Sequence, residues 1–364
     1  MVNFQISSLF LTSTAIATSS SIVHGGTTDS FMETRNGKNL RRRLHSVAIA
    51  TNSGLGARKL DDGSSNGHII TLGDSFSSGT GIHPDGDQYD EEFGGYVCIN
   101  EGTDNEECYQ FTPSDKHNCW RELDTTPGPM LAEETSKESI FLACKSARVE
   151  HVQAQVDYLK ANPDWETNNS DGWEDSVVLL TAGGNDLRTY GGEGWTGLLT
   201  TCVTDTDCHK EDENQIENWD EVKESLKGLY ESICDATSSS ESTKVRVLGY
   251  ARMLQPDPLC APVPGFSPEE GEWADELLDT LNDKIEEAID EVHSSESSAC
   301  FNKDIQFVDV DDGMKHGGCH ANSFATHVRG FVFHTYDPTS LSASTLHPSQ
   351  RGYNVYYDSL LNTL

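Results

Sequence analysis

Basic charge is what this chain has least of. Its 364 residues hold 25 Lys+Arg against 60 Asp+Glu, a formal net charge of −35. That balance argues against a nucleic-acid partner, because phosphate neutralisation needs clustered Lys and Arg. It argues equally against docking on an anionic membrane surface. Long apolar runs are also missing. Ser and Thr interrupt each one well before the roughly 20 residues that a membrane span requires, so no stable membrane insertion is expected. No two cysteines are spaced as CxxC, which disfavours a zinc site. No internal repeat is visible. The hydrophobic share is 35%, low for a globular chain, so part of it should be loop or tail. Even so, 6 Trp, 13 Phe and 11 Tyr are enough to anchor a sizeable core. The length permits one large domain or two ordinary ones.

Residues 1–28 contain no Asp, Glu, Lys or Arg. Residues 4–17 are mildly apolar, and Ala15-Ile16-Ala17 fits a small-x-small cleavage site. The pattern predicts a secretory signal peptide over 1–17, with a poor n-region whose only positive charge is the amino terminus. Residues 18–60 are rich in Ser, Thr, Gly and Asn and have no strand or helix periodicity, which predicts a disordered basic leader. Its clusters Arg41-Arg42-Arg43 and Arg58-Lys59 read either as processing sites or as a solvated tail. Ten cysteines follow, at 98, 108, 119, 144, 202, 208, 234, 260, 300 and 319. Their even number and scattered spacing predict an oxidised, extracellular protein with up to five disulfides, whose connectivity spacing leaves open. Asn168-Asn169-Ser170 is a lone glycosylation sequon in a polar stretch.

From residue 61 short apolar runs alternate with helical stretches. Strands are expected at 68–72 (HIITL), 140–144 (IFLAC), 175–182 (DSVVLLTA), 245–250 (VRVLGY) and 305–310 (IQFVDV). They are nearly continuous in apolar residues, as parallel strands covered on both faces should be. Helices are expected at 147–160, 218–234, 268–292 and 348–361. The third starts with Ser267 as N-cap and carries an apolar stripe of Leu277, Leu278, Leu281, Ile285 and Ile289. Alternation of this kind implies an α/β fold with a mainly parallel five-stranded sheet and helices on both faces. One domain is therefore expected over 61–364, with insertions at 80–118 and 187–217.

Three short segments carry the chemistry. The first strand runs into Gly73-Asp74-Ser75-Phe76-Ser77-Ser78-Gly79, so Ser75 stands at the carboxyl edge of the sheet, where α/β sites form. The third strand ends in Ala182-Gly183-Gly184-Asn185-Asp186. Asn185 there either aims its amide at a developing oxyanion or belongs to a turn capping the next helix. Near the C-terminus, Pro348 is placed to open the last helix at its first position. His347 then projects from the preceding loop as a candidate general base for Ser75. Gly63-Ser64-Ser65-Asn66-Gly67 also matches a G-x-S-x-G elbow, but it precedes a strand instead of following one and is set aside.

These segments resemble the SGNH hydrolases, the GDSL lipases and esterases. The nucleophile block is Gly73-Asp74-Ser75-Phe76-Ser77, the oxyanion block is Gly183-Gly184-Asn185-Asp186, and the base block is His347-Pro348 with Gly352-Tyr353. Cys119-Trp120-Arg121, Phe141-Leu142-Ala143-Cys144 and His316-Gly317-Gly318-Cys319 resemble segments of the secreted, disulfide-bonded actinobacterial-type members. The resemblance covers about residues 68–364, with the two insertions poorly matched. It implies a three-layer flavodoxin-like fold and acyl-ester hydrolysis without a cofactor or metal. In that picture Ser75 attacks, His347 is the base, and the oxyanion is held by the Ser75 and Ser146 N–H groups and the Asn185 side chain.

Two departures stand out. Ser146, in Ala143-Cys144-Lys145-Ser146-Ala147, occupies a place where the family has Gly. Ser344 stands three residues before His347, where the family has Asp. The resemblance then suggests the Ser344 main-chain carbonyl as the group orienting His347, with Asp337 as a weaker alternative. Asp74 is expected to brace its turn through backbone N–H groups. Asp85, Asp87, Asp90, Asp205 and Asp207 lack the Gly and Glu of an EF-hand loop and read as solvated acidic loops.

Three functions follow as expectations. The first is a secreted, monomeric serine esterase or lipase acting on small-molecule or lipid esters. The second is a carbohydrate O-acetyl esterase of the same fold. The third is a non-catalytic secreted binding protein, motivated by the missing Asp and by Ser146. The charge is unevenly spread: residues 1–60 hold seven basic and two acidic residues, leaving 18 basic and 58 acidic ones beyond. That acid reads as a solubility or salt-tolerance feature.

Overall fold

In chain order the elements are β1 (His68–Gly73), the single-turn helix α1 (Ser75–Ser78), β2 (Tyr96–Ile99), β3 (Glu107–Gln110), α2 (Pro127–Thr135), β4 (Glu138–Phe141), α3 (Val149–Ala161), β5 (Val177–Thr181), α4 (Trp219–Ala236), β6 (Lys244–Leu248), α5 (Pro268–Ser294), β7 (Asp304–Val308) and α6 (Gln350–Leu361). They come from a computed structural model that describes residues 67–82, 96–99, 107–110, 119, 121–122, 124–161, 173–192, 194, 197–198, 202, 207–252, 267–311, 314, 327–328 and 346–364. The predicted signal and leader, the sequon at 168–170 and most of the Gly63-to-Gly67 decoy lie outside these residues.

Five strands form one sheet in the order β4-β1-β5-β6-β7. Every pairing in it is parallel. The chain leaves β1 toward β4 and then crosses to β5 on the other side. The direction of winding thus reverses between β1 and β5, and in open α/β sheets sites form beyond the carboxyl ends of the strands at such a point. Helices α2 and α6 pack on each other, with α2 also against β1 and β4, while α3, α4 and α5 pack in succession as a second group. This is the three-layer α/β arrangement expected from the sequence.

Burial explains the continuous apolar runs. Ile69 and Ile70 point to opposite faces of β1, yet both are 0% exposed. Val178, Leu179 and Leu180 of β5 are likewise all buried, at no more than 1% exposed. Helix α5 begins as its sequence dictates: the Ser267 hydroxyl accepts from the Glu270 N–H, and the Glu270 carboxylate accepts from the Ser267 N–H. Its stripe of Leu277, Leu278, Leu281, Ile285 and Ile289 is buried. Each such side chain stabilises the fold by about 2 kcal/mol.

The structure departs from the sequence expectations in four places. Strand β4 ends at Phe141, earlier than expected. Leu142, Ala143 and Cys144 still donate to the Thr71 and Gly73 carbonyls. Their chain is drawn out of the ladder by the Cys119–Cys144 bridge and by Arg121, whose guanidinium takes the Ala143 and Leu142 carbonyls. Helix α2 is not among the expected helices, and it opens on Pro127-Gly128-Pro129. Prolines are tolerated in a first turn, where the N–H groups have no intrahelical partner anyway. The 80–118 stretch contains an antiparallel hairpin, β2–β3. Finally, α6 starts at Gln350 with Ser349 as N-cap, its hydroxyl accepting from the Gly352 N–H. Pro348 does not open the helix; it makes a bridge with Val328 instead. The hydroxyl of Ser349 supplies a capping oxygen, so the helix begins just after it, two residues later than the expected first position at Pro348.

Three disulfides join described cysteines: Cys119–Cys144, Cys202–Cys208 and Cys234–Cys300. The last spans 66 residues and ties the end of α4 to the segment before β7. Restricting a loop of that length in the unfolded chain is worth about 4 kcal/mol on the chain-entropy model. Cys98 and Cys108 are register partners on the hairpin backbone. Cys260 and Cys319 lie outside the described residues.

Candidate active site

Where β1 ends, the chain turns through Asp74 into α1. Asp74 is the N-cap of that single turn and is 1% exposed. Its N–H donates to the Thr181 carbonyl on β5 at 3.1 Å. One carboxylate oxygen, Oδ1, accepts from the Phe76 N–H at 2.9 Å and from the Thr181 hydroxyl at 2.6 Å. The other, Oδ2, accepts from the Tyr250 hydroxyl at 2.5 Å. The bracing role expected of Asp74 is thus visible, and it reaches beyond its own turn. The buried Gln155 amide on α3 grips Gly73 from the far side, accepting its N–H at 2.8 Å and donating to its carbonyl at 3.1 Å. Ser75 is therefore mounted on a turn held by β5, α3 and Tyr250 at once.

His347 comes from the other end of the chain. It sits two residues before the N-cap of α6, and its Nε2 is 2.7 Å from Ser75 Oγ. The imidazole ring lies 5.0 Å from the Phe76 ring. The 347–348 backbone passes so close to Gly81 that a Cβ there would lie 2.2 Å from the Pro348 carbonyl oxygen and 2.7 Å from the His347 Cβ, so only glycine fits. An imidazole at this distance can take a hydroxyl proton as the oxygen attacks an acyl carbon. Ser344 and Asp337, the two groups expected to orient the ring, lie outside the described residues.

The third segment forms a single 3₁₀ turn, Gly184–Asp186, beyond β5. The Asn185 Nδ2 donates to the Ala147 carbonyl at 3.0 Å. An amide nitrogen carries two hydrogens, so one remains for a further acceptor. The Asp186 carboxylate accepts from the Val149 N–H at 3.0 and 3.2 Å, at the start of α3. Together the two side chains stitch the 144–149 loop to the turn after β5. Ser146 lies within that loop, exposed, with φ at 62°. It adopts the left-handed backbone that suits Gly, at a cost of about 1–2 kcal/mol, and keeps its amide.

Burial dominates the electrostatics. It pushes the Asp74 carboxyl up to about 6, against the pull of its three hydrogen-bond donors. It pushes Asp186 up to about 7, opposed by the Val149 N–H and nearby Arg148 and reinforced by Asp74. Both folded values lie above the unfolded value near 4. Between those limits the folded state binds more protons, so these two acids contribute less stability as pH rises from about 4 to about 7. Asp186→Asn removes that penalty while keeping an oxygen for the Val149 N–H. Its melting temperature relative to the parent should therefore be higher at pH 8 than at pH 5, by a difference worth up to about 3 kcal/mol. Equal offsets at the two pH values, measured by thermal melts, would count against a buried, proton-binding Asp186.

Sequence reading did not single out Gln155, Thr181 or Tyr250. The only signal they offer is position: Thr181 ends β5 and Tyr250 stands two residues past β6. Of the acidic loop residues, Asp207 is exposed and pairs with Lys210, while Asp85, Asp87, Asp90 and Asp205 lie outside the described residues. Among the described residues no cluster of three or more His, Cys, Asp or Glu side chains could hold a metal ion, and no helix is long and apolar enough to cross a membrane.

Comparison with known proteins gives one family match. The model described as GDSL-like Lipase/Acylhydrolase matches residues 69–360. No curated protein matches the chain. Among solved structures, an extracellular lipase from Streptomyces rimosus is similar at 20% identity and a TM-score of 0.48, over 82% of this chain and 99% of that one. Phospholipase A1 from Streptomyces albidoflavus NA297 is similar at 20% identity and a TM-score of 0.49, over 83% and 100%.

Proposed function

Because the chain belongs to the GDSL-like lipase/acylhydrolase family and is an ester hydrolase, we propose that it is a secreted serine esterase that cleaves lipid acyl esters by a Ser–His mechanism. The observation that carries the mechanism is the 2.7 Å contact between Ser75 Oγ and His347 Nε2, made across 272 residues of sequence. As Ser75 attacks the ester carbonyl, His347 takes its proton. The tetrahedral oxyanion is held by the Ser75 N–H, the Ser146 N–H and the Asn185 amide. His347 then protonates the leaving alkoxide, and an acyl-enzyme remains. Water, activated by the same imidazole, releases the acid. Three disulfides among the described cysteines suit an oxidising, extracellular compartment.

The test is covalent. A fluorophosphonate probe should label the purified protein at Ser75, and mass spectrometry of the labelled peptide identifies the residue. Absence of labelling would overturn the reading. A panel of p-nitrophenyl esters then sets the substrate class. Turnover sustained from short to long acyl chains supports a lipid ester, whereas a steep drop beyond acetate supports a carbohydrate O-acetyl ester.

Asn185→Ala removes one oxyanion donor. It should lower kcat by about 10² to 10³. Because Asn185 also donates to the Ala147 carbonyl, a thermal melt belongs beside the kinetics. A drop in melting temperature without a drop in kcat would assign Asn185 to the loop and not to the oxyanion.

A further inference from the structure

The nucleophile and oxyanion turns leave neighbouring strands. The last register pair between those strands is Gly73 opposite Thr181. Beyond it, strand pairing no longer sets the distance between the Ser75 turn and the Asn185 turn. Tyr250 spans that gap. Its hydroxyl donates to Asp74 Oδ2 at 2.5 Å and accepts from the Gly184 N–H at 3.1 Å. Both capacities of the phenol are used, one on the residue before Ser75 and the other on the residue before Asn185. A phenylalanine would lose both bonds, and a shorter hydroxyl side chain would not reach.

The tyrosine is itself fixed. It is 2% exposed. The Asn282 amide on α5 accepts from the Tyr250 N–H at 2.8 Å and donates to its carbonyl at 2.8 Å. Gly184 lets the ring approach: a Cβ there would stand 3.1 Å from the ring edge and 3.3 Å from the hydroxyl. On its other side the Tyr250 ring meets Phe76 edge-on, centroids 4.9 Å apart, and Phe76 in turn contacts His347.

We propose that Tyr250 is a positioning residue for ester hydrolysis, its hydroxyl holding the Asp74–Ser75 turn and the Gly184–Asn185 turn at the separation the reaction needs. This rests on the reading of Ser75 as nucleophile and Asn185 as oxyanion donor. Tyr250 touches neither substrate nor reacting atoms. It acts by keeping the Asn185 amide aimed at the place where the oxyanion forms when Ser75 attacks. A misplacement of about an ångström at such a point costs on the order of a hundredfold in rate.

The experiment is a double-mutant cycle on the full chain. Tyr250→Phe should lower kcat by about 10- to 100-fold while KM stays within about threefold. In an Asn185→Ala background the same change should cost less than about threefold, because the group it positions is gone. Gly184→Ala keeps the phenol but crowds it, and should give a smaller loss with the same split between kcat and KM. It decides the matter should Tyr250→Phe not fold. A kcat within twofold of the parent, full additivity with Asn185→Ala, or a loss that disappears once rates are scaled to the folded fraction would overturn the role of Tyr250. Failure of the underlying reading looks different: the parent itself would then escape labelling by a fluorophosphonate.

Discussion

Ser75→Ala should leave a folded protein whose turnover of p-nitrophenyl esters is lower by about 10⁴ to 10⁶. On the proposed mechanism the acyl-enzyme cannot form without Ser75 Oγ. Removing any member of a nucleophile–base pair costs nearly as much as removing the whole unit, because each is useless without the other. The residual rate over water would come from the oxyanion donors and from binding. The substitution is mild for the fold. The side chain is 6% exposed and its hydroxyl contact is with His347, while the turn is braced through Asp74, Gly73 and Ser77. Loss of one hydroxyl hydrogen bond is worth about 1 kcal/mol, so melting should shift by only a few degrees. Turnover within tenfold of the parent, at unchanged melting temperature, would sink the assignment.

His347→Ala should produce a loss of the same order, about 10⁴ to 10⁶ in kcat, for a different reason. Ser75 keeps its oxygen but has no acceptor for the proton, and a serine hydroxyl is a weak nucleophile while protonated. The departing alkoxide also loses its proton donor. The rate of fluorophosphonate labelling should fall with kcat, since both require the activated hydroxyl. The double variant Ser75→Ala/His347→Ala should be no slower than either single one. Additive losses would mean that the two residues act independently, which the 2.7 Å contact argues against. The imidazole ring itself lies against Phe76, centroids 5.0 Å apart, so its loss leaves that aromatic face uncovered.

Both results concern residues that could be picked out in the sequence, and the reason is local. Ser75 and Asn185 each follow an apolar run ending in small residues, and a polar side chain just beyond a buried strand has few reasons to be there. His347 precedes a helix start. The same locality explains the legible part of the fold. Period and apolar continuity mark β1, β5, β6, α4 and α5, because burial on one or both faces leaves its imprint on every residue of the element. Signals are weaker where the constraint is distant. Helix α2 is hidden by its opening prolines, and the early exit of β4 depends on Cys119 and Arg121, some twenty residues upstream. The start of α6 falls two residues later than the expected opening at Pro348, because Ser349 supplies the cap, which is a matter of side-chain geometry.

The chain by itself determined that this is an α/β protein with a Gly-Asp-Ser turn, a Gly-Asn-Asp turn and a late histidine, in that order, on an acidic body. Those are properties of neighbouring residues, written in periodicity and turn chemistry. Only the tertiary structure decided that Ser75 Oγ meets His347 Nε2, that Cys119 pairs with Cys144, Cys202 with Cys208 and Cys234 with Cys300, and that Ser146 accepts a left-handed backbone where glycine was expected. It alone revealed Gln155 and Tyr250. Their work is done through hydrogen bonds to residues 82, 176 and 66 positions away, and contacts over such separations leave no period or spacing in the sequence to read.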